Sequence, residues 1–212
     1  FSSNMSKILI FGDSIAWGAF DSESGGWVER LKLYMWSKGD IDVYNLGASG
    51  NKTPDLLGRF ESETKFRMEE GLETIIIFAV GINDSYLLHS KNDNVVKFEN
   101  FKENIENLII LAQKFSSKVI FVGLTPVDET KTTPIPWDTD KFFKNEYIQK
   151  YNNFISSACK DKNIYFVKIL DGWLQSDYQN LLEDGLHPNS EGHKKIFETV
   201  RDFLTQNKII KI

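Results

Sequence analysis

Thr74-Ile75-Ile76-Ile77-Phe78-Ala79-Val80 carries no polar alternation. A strand built from it cannot turn either face to water, so it belongs in the middle of a parallel sheet with helices on both sides. Four other runs read as strands: Lys7–Phe11, Asp42–Leu46, Lys118–Leu124 and Ile164–Ile169. Each is short, rich in Ile, Val or Phe, and bounded by Gly, Asp or Pro, as strands are. Between them lie helical patterns at Trp27–Ser37, Pro54–Glu70, Phe98–Phe115 and Lys141–Lys160. In the third, Phe101, Ile105, Leu108, Ile109 and Ala112 recur at steps of three and four and make one apolar face. A last helix, Ser190–Gln206, gathers Ile196, Phe197, Val200, Phe203 and Leu204, with Asn189 or Ser190 as its cap.

Strand and helix alternate through five rounds, which predicts a three-layer α/β/α fold with a five-stranded parallel sheet. Right-handed crossovers favour the flavodoxin-like strand order 2-1-3-4-5. No repeat or linker divides the chain, so residues 5–212 read as a single domain. Phe1–Asn4 resembles an expression-tag remnant before a natural start at Met5. Two long stretches, Ser85–Lys97 and Thr125–Asp140, read as loops that are either solvated or tied to binding.

Composition narrows the function classes. The 212 residues are 41% hydrophobic and 26% charged, with a formal net charge of −5. This acidic balance, without a basic stripe, argues against nucleic acid as a partner. No apolar run is long enough to span a bilayer, so no integral membrane segment is expected. No signal-peptide pattern is visible, and Cys159 is the only cysteine, which reads as a buried thiol. A cytoplasmic location is expected on these grounds, although a leader removed earlier leaves no trace.

Four polar blocks follow predicted strands or precede the last helix. They are Gly12-Asp13-Ser14-Ile15, Asn45-Leu46-Gly47-Ala48-Ser49-Gly50, Gly81-Ile82-Asn83-Asp84 and Asp184-Gly185-Leu186-His187-Pro188. With order 2-1-3, the first three meet at the carboxyl edge of the sheet where strand order reverses. A serine hydroxyl needs an imidazole to take its proton, and the imidazole needs a carboxylate to orient it. Ser14, His187 and Asp184 supply that set. The backbone N–H groups of Ser14 and Gly47 and the amide of Asn83 supply an oxyanion hole, each donor worth roughly 3–4 kcal/mol.

These blocks resemble those of the SGNH hydrolases, the GDSL family of esterases and lipases, over residues 8 to 193. Each block is weak alone, but all four in order make a specific signal. Ile15 stands where the family name has leucine, a side chain expected to point away from the reaction centre. The resemblance implies Ser14 as nucleophile, His187 as base and then acid, Asp184 as its orienter, and Ser14, Gly47 and Asn83 as the oxyanion hole. It implies no cofactor and no metal.

Other features read more plainly. His89 falls in a polar loop and His193 on the last helix, as surface and packing residues. Asp13 and Asp84 read as hydrogen-bond partners of loop backbone. Three histidines are too few for a two-metal phosphoesterase. Gly12–Gly18 lacks the Gly-Lys-Ser/Thr of a phosphate-binding loop, and Ala16 breaks the Gly-x-Ser-x-Gly elbow of α/β-hydrolases. Trp17, Tyr86, Trp137, Phe142 and Trp173 lie near loops at the site's end of the sheet, as walls of an acyl pocket, a sugar platform or ordinary packing. The expected function is a serine esterase hydrolysing short- or medium-chain acyl esters through an acyl-Ser14 intermediate, in a carboxylesterase, lysophospholipase-like or thioesterase role. A carbohydrate O-acetylesterase is the alternative, followed by an acyltransferase or a catalytically silent binding protein. The expected partner is a small acyl ester, and oligomeric state is not encoded in any visible motif.

Overall fold

Ile75, Ile76, Ile77 and Phe78 are all fully buried. A computed structural model describes residues 5–211, so the four residues read as a tag remnant lie outside the described residues. In chain order the first half comprises β1 (Ser6–Gly12), α1 (Ser14–Trp17), α2 (Trp27–Trp36), β2 (Ile41–Gly47), α3 (Thr53–Arg67) and β3 (Glu73–Ala79). There follow β4 (Leu87–Leu88), β5 (Asp93–Asn94), α4 (Phe98–Gln113), β6 (Lys118–Val122), α5 (Glu129–Thr132) and β7 (Lys141–Phe142). The chain closes with α6 (Asn145–Asp161), β8 (Tyr165–Val167), α7 (Leu170–Leu174), a 3-10 turn (Tyr178–Leu181) and α8 (Ser190–Gln206).

The main sheet is parallel throughout, in the order β2-β1-β3-β6-β8. Counting only its own strands, this is the expected 2-1-3-4-5. β1 pairs along its whole length with both neighbours, so Gly12 sits level with Gly47 on one side and Ala79 on the other. Side chains alternate between two layers of helices, as the strand period requires. Leu9, Phe11, Ile76, Phe78 and Phe121 pack with α3, α4 and α6. Ile8, Ile10, Ile75, Ile77 and Ile120 pack with α2 and α8. In the first layer Phe60, Phe11, Phe78 and Phe121 form a chain of rings with centroids 4.9 to 5.9 Å apart. Burial of each such ring contributes about 1.5–3 kcal/mol.

α8 has the expected bounds, and the Asn189 side chain caps it by accepting the Gly192 N–H at 3.0 Å. α6 starts four residues later than its periodicity suggests, because Lys141 and Phe142 join a small antiparallel sheet in the order β5-β4-β7. The segment Ser85–Lys97 is thus partly a hairpin, and Thr125–Asp140 contains α5. Cys159 is buried in α6, and burial pushes its thiol up to about 12. Among the described residues no helix is long and apolar enough to cross a membrane.

Candidate active site

The carboxyl end of β1 turns at Gly12 straight into α1. A Cβ at Gly12 would lie 2.5 Å from the Ala16 Cβ and 2.6 Å from the Ala79 carbonyl oxygen, so this turn has no room for a side chain. Asp13 caps α1 by accepting the Ile15 N–H at 2.9 Å. Burial pushes its carboxyl up to about 6, against the pull of that N–H. Ser14 therefore occupies the first turn of a helix, where backbone N–H groups lack intrahelical partners. Ile15 packs against both hydrophobic layers.

From the far end of the chain, the loop before α8 brings His187 to Ser14. Ser14 Oγ lies 3.0 Å from His187 Nε2, and His187 Nδ1 lies 2.7 Å from Asp184 Oδ2. Asp184 Oδ1 also accepts the backbone N–H groups of Leu186 and His187, at 2.9 and 2.7 Å. The turn between them uses Gly185 at φ +91°, a conformation that favours glycine. Burial alone would raise the Asp184 carboxyl, but the His187 ring and these N–H groups hold it below its ordinary value. With Nδ1–H donating to the carboxylate, Nε2 presents its lone pair to the serine hydroxyl.

The loops after β2 and β3 complete the arrangement. Asn83 is buried, and its Nδ2 donates one hydrogen to the Asn51 carbonyl at 3.1 Å, which fixes the amide plane. Asp84 beside it accepts the N–H and hydroxyl of Thr53, tying the two loops together. Its burial pushes the carboxyl up to about 6, opposed by Thr53. Gly47 is placed differently from expectation. Its N–H donates to Asn45 Oδ1 at 3.0 Å, and a Cβ there would lie 2.3 Å from the Trp17 nitrogen. Gly47 packs under α1, whereas Ser49 and Gly50 face the cavity. Gly50 takes φ +77°, and its N–H has no acceptor among the described residues.

A cavity of about 510 Å³ opens over Ser14, His187 and Asn83. Trp17, Tyr86 and Trp137 line it, and Phe20, Ile135, Phe143 and Leu186 add apolar surface. The Phe20 and Trp137 rings lie 5.3 and 6.4 Å from the His187 ring. Phe142 and Trp173 do not line it. Phe142 stacks on the exposed His89 at 5.3 Å, and Trp173 is buried in the layer with α2 and α8.

Residues 10–195 match the model of the GDSL-like Lipase/Acylhydrolase family. The chain belongs to that family. As a GDSL hydrolase it is an ester-hydrolysing enzyme. Similar folds include a lipase/acylhydrolase from Enterococcus faecalis, with a TM-score of 0.75 and 22% identity over 98% of each chain. The acetyl xylan esterase AlAXEase has a TM-score of 0.74 and 21% identity, covering 93% of this chain and 99% of its own. An acetylxylan esterase from Geobacillus stearothermophilus has a TM-score of 0.70 and 19% identity, covering 96% and 95%. No curated protein sequence is significantly similar to the chain.

One residue of this GDSL hydrolase escaped the sequence reading. Arg59 on α3 reaches the carboxyl edge of the sheet, where it donates to the Leu46 carbonyl at 2.7 Å and the Gly12 carbonyl at 3.2 Å. Its Nε donates to Asn51 Oδ1 at 2.9 Å, and Asn51 in turn holds Asn83. Arg59 thus ties the ends of β1 and β2 to the amide of Asn83. Its position in α3 offered no motif, only an arginine on a helix whose charge the register alone could not aim. Replacing Arg59 with methionine keeps the stem and removes these bonds. The expected result is a fall in kcat of about tenfold or more with little change in KM, since a slight misplacement of reacting groups is costly. Kinetics beside a thermal melt separates this from unfolding.

His193 is buried and neutral. Its Nδ1 accepts the Trp27 N–H at 3.2 Å at the start of α2, and its Nε2–H lies 2.8 Å from the Ala19 carbonyl. Burial lowers its pKa. This is the packing and capping role read from the sequence.

Proposed function

We propose that this GDSL hydrolase is a serine esterase working through an acyl-Ser14 intermediate. The supporting observation is the unbroken chain Ser14–His187–Asp184, at 3.0 and 2.7 Å, facing a cavity. His187 Nε2 takes the hydroxyl proton as Oγ attacks the ester carbonyl carbon, and the carbonyl π electrons move onto oxygen. The N–H groups of Ser14 and Gly50 and the second hydrogen of Asn83 Nδ2 receive that oxyanion, with Gly50 in the place first given to Gly47. Collapse expels the alkoxide, which takes the proton from His187 and leaves as alcohol. Water then repeats the sequence on the acyl-enzyme and releases the carboxylic acid.

The apolar walls and volume suit short or medium acyl chains. A second reading, a carbohydrate O-acetylesterase, is favoured by Trp17 and Trp137, which are 58% and 57% exposed although both line the cavity. Exposed indoles give flat stacking surfaces, and two of the similar structures are acetyl xylan esterases. Hydrolysis of p-nitrophenyl esters from acetate to octanoate, beside acetate release from acetylated xylo-oligosaccharides, tests both. Activity rising with chain length supports the acyl pocket. Activity confined to the saccharides supports the platform, and inactivity on all of them overturns the esterase reading.

Asn83→Ala is expected to lower kcat by about 10²–10³-fold with a smaller effect on KM, because the amide acts on charge that develops only in the transition state. Steady-state kinetics on the best ester checks it. A change in KM alone would instead assign Asn83 to ground-state binding.

A further inference from the structure

The cavity wall has a charge opposite to that of the whole chain. The protein carries a formal net charge of −5, yet the wall includes two lysines, Lys52 and Lys141. Its one carboxylate, Asp184, has both oxygens occupied by His187 and by backbone N–H groups. Building on the esterase reading, we propose that the preferred substrate is an ester carrying a negative charge, which Lys52 and Lys141 recognise.

Both lysines are placed for this. Lys52 follows the Gly50–Asn51 loop, with its Nζ 3.5 Å from the Gly50 carbonyl. The Lys141 Nζ lies 5.3 Å from the centre of the Tyr86 ring, itself part of the wall. Their side chains are 29% and 33% exposed, so they border the cavity rather than trail into solvent. Each is tethered from outside by an aspartate. Asp55 lies 3.6 Å from Lys52 and Asp138 lies 3.1 Å from Lys141. Those carboxylates are 44% and 38% exposed and do not line the cavity. Pairs so open to water are weakly held, and a lysine stem turns inward at little cost.

The surrounding wall is apolar, which strengthens a charge interaction inside it. A neutral ligand gives the two ammonium groups no reason to leave their weakly held aspartates. An anionic ligand offers them opposite charge inside the cavity. The charged group can belong to the acyl half, as in a half-ester of a dicarboxylic acid, or to the alcohol half.

The test compares charged and neutral esters of similar shape. For the acyl half, p-nitrophenyl glutarate is set against the p-nitrophenyl ester of monomethyl glutarate. For the alcohol half, 4-acetoxybenzoate is set against 4-acetoxybenzamide. In at least one pair the charged ester is expected to have a kcat/KM about tenfold or more above its neutral partner at low ionic strength, a ratio that shrinks in high salt. Lys52→Met and Lys141→Met should each reduce the ratio by about fivefold, the size expected of partly exposed charges. Ratios near one in both pairs, or ratios that neither substitution moves, overturn the proposal. If no ester is hydrolysed, the esterase reading fails separately. Binding of glutarate and 4-hydroxybenzoate against their amides, followed by the fluorescence of Trp17 and Trp137, then decides the charge preference alone. Saturable binding of at least one acid that is lost in the double lysine variant supports it, and equal binding of acid and amide in both pairs overturns it.

Discussion

Ser14→Ala is expected to lower kcat on an activated ester by at least about 10⁴-fold while the protein stays folded. The half-buried Ser14 hydroxyl has His187 as its side-chain partner, so its removal costs one hydrogen bond, about 1 kcal/mol or less. Chemistry and stability are therefore separable at this position. Turnover disappears because alanine offers no atom to acylate. The remaining N–H groups still bind an oxyanion, so a small residual rate above the uncatalysed reaction is expected. A kinetic trace with the wild type beside a thermal melt of both proteins checks the two halves. Comparable turnover in the variant would remove Ser14 from the reaction.

Asp184→Asn is expected to cost about 10⁴-fold in kcat, out of proportion to the single oxygen exchanged. The Asn side chain can keep its oxygen on the Leu186 and His187 N–H groups, as Asp184 Oδ1 does now. Its amino group would then face His187 Nδ1, where Asp184 Oδ2 stands at 2.7 Å. A donor there demands a lone pair on Nδ1, which moves the ring proton to Nε2 and turns it against Ser14. The loop survives and the base is lost. The same change should alter acid sensitivity. The folded Asp184 carboxyl titrates below its reference value of 3.8. Its contribution to stability is thus present above that value and is lost as pH falls toward the folded pKa. The variant lacks this contribution, so the difference in melting temperature between the two proteins should narrow on acidification. A difference that stays constant from neutral to acid pH would contradict the assigned bonds.

Much of the main sheet was legible because β1, β3 and β6 are near-continuous apolar runs and each long helix repeats its apolar positions at helical steps. The antiparallel sheet left no such mark. Leu87–Leu88, Asp93–Asn94 and Lys141–Phe142 are two-residue strands, the last paired with a partner distant in sequence, and no window that short carries a period. That explains why Lys141 was read into a helix. The sequence likewise offers Phe142 as a candidate and gives no sign of Phe143. Adjacent residues on extended backbone face opposite ways, and without the register nothing distinguishes them. Phe143 lines the cavity while Phe142 meets His89.

Gly47 and Gly50 pose a related problem. Gly47 ends β2 and Gly50 lies in the loop that follows, and the side chain of Asn45, folded back onto the Gly47 N–H, separates their roles. Ser14, Asn83, Asp184 and His187, which the structure brings to one cavity, could be singled out because each residue type suggests its own chemistry. Backbone donors have no residue type to betray them.

Ser14 and His187 are 173 positions apart, at the start of α1 after the first strand and on the loop before the last helix. On the proposed mechanism, a chain emerging from the ribosome would carry its nucleophile for almost the whole of synthesis without the base that arms it. Catalytic competence should then arrive late and all at once. In refolding from denaturant, recovered turnover is expected to follow docking of α8 rather than formation of the central sheet, which would make the enzyme's own activity a clock for the completion of its fold.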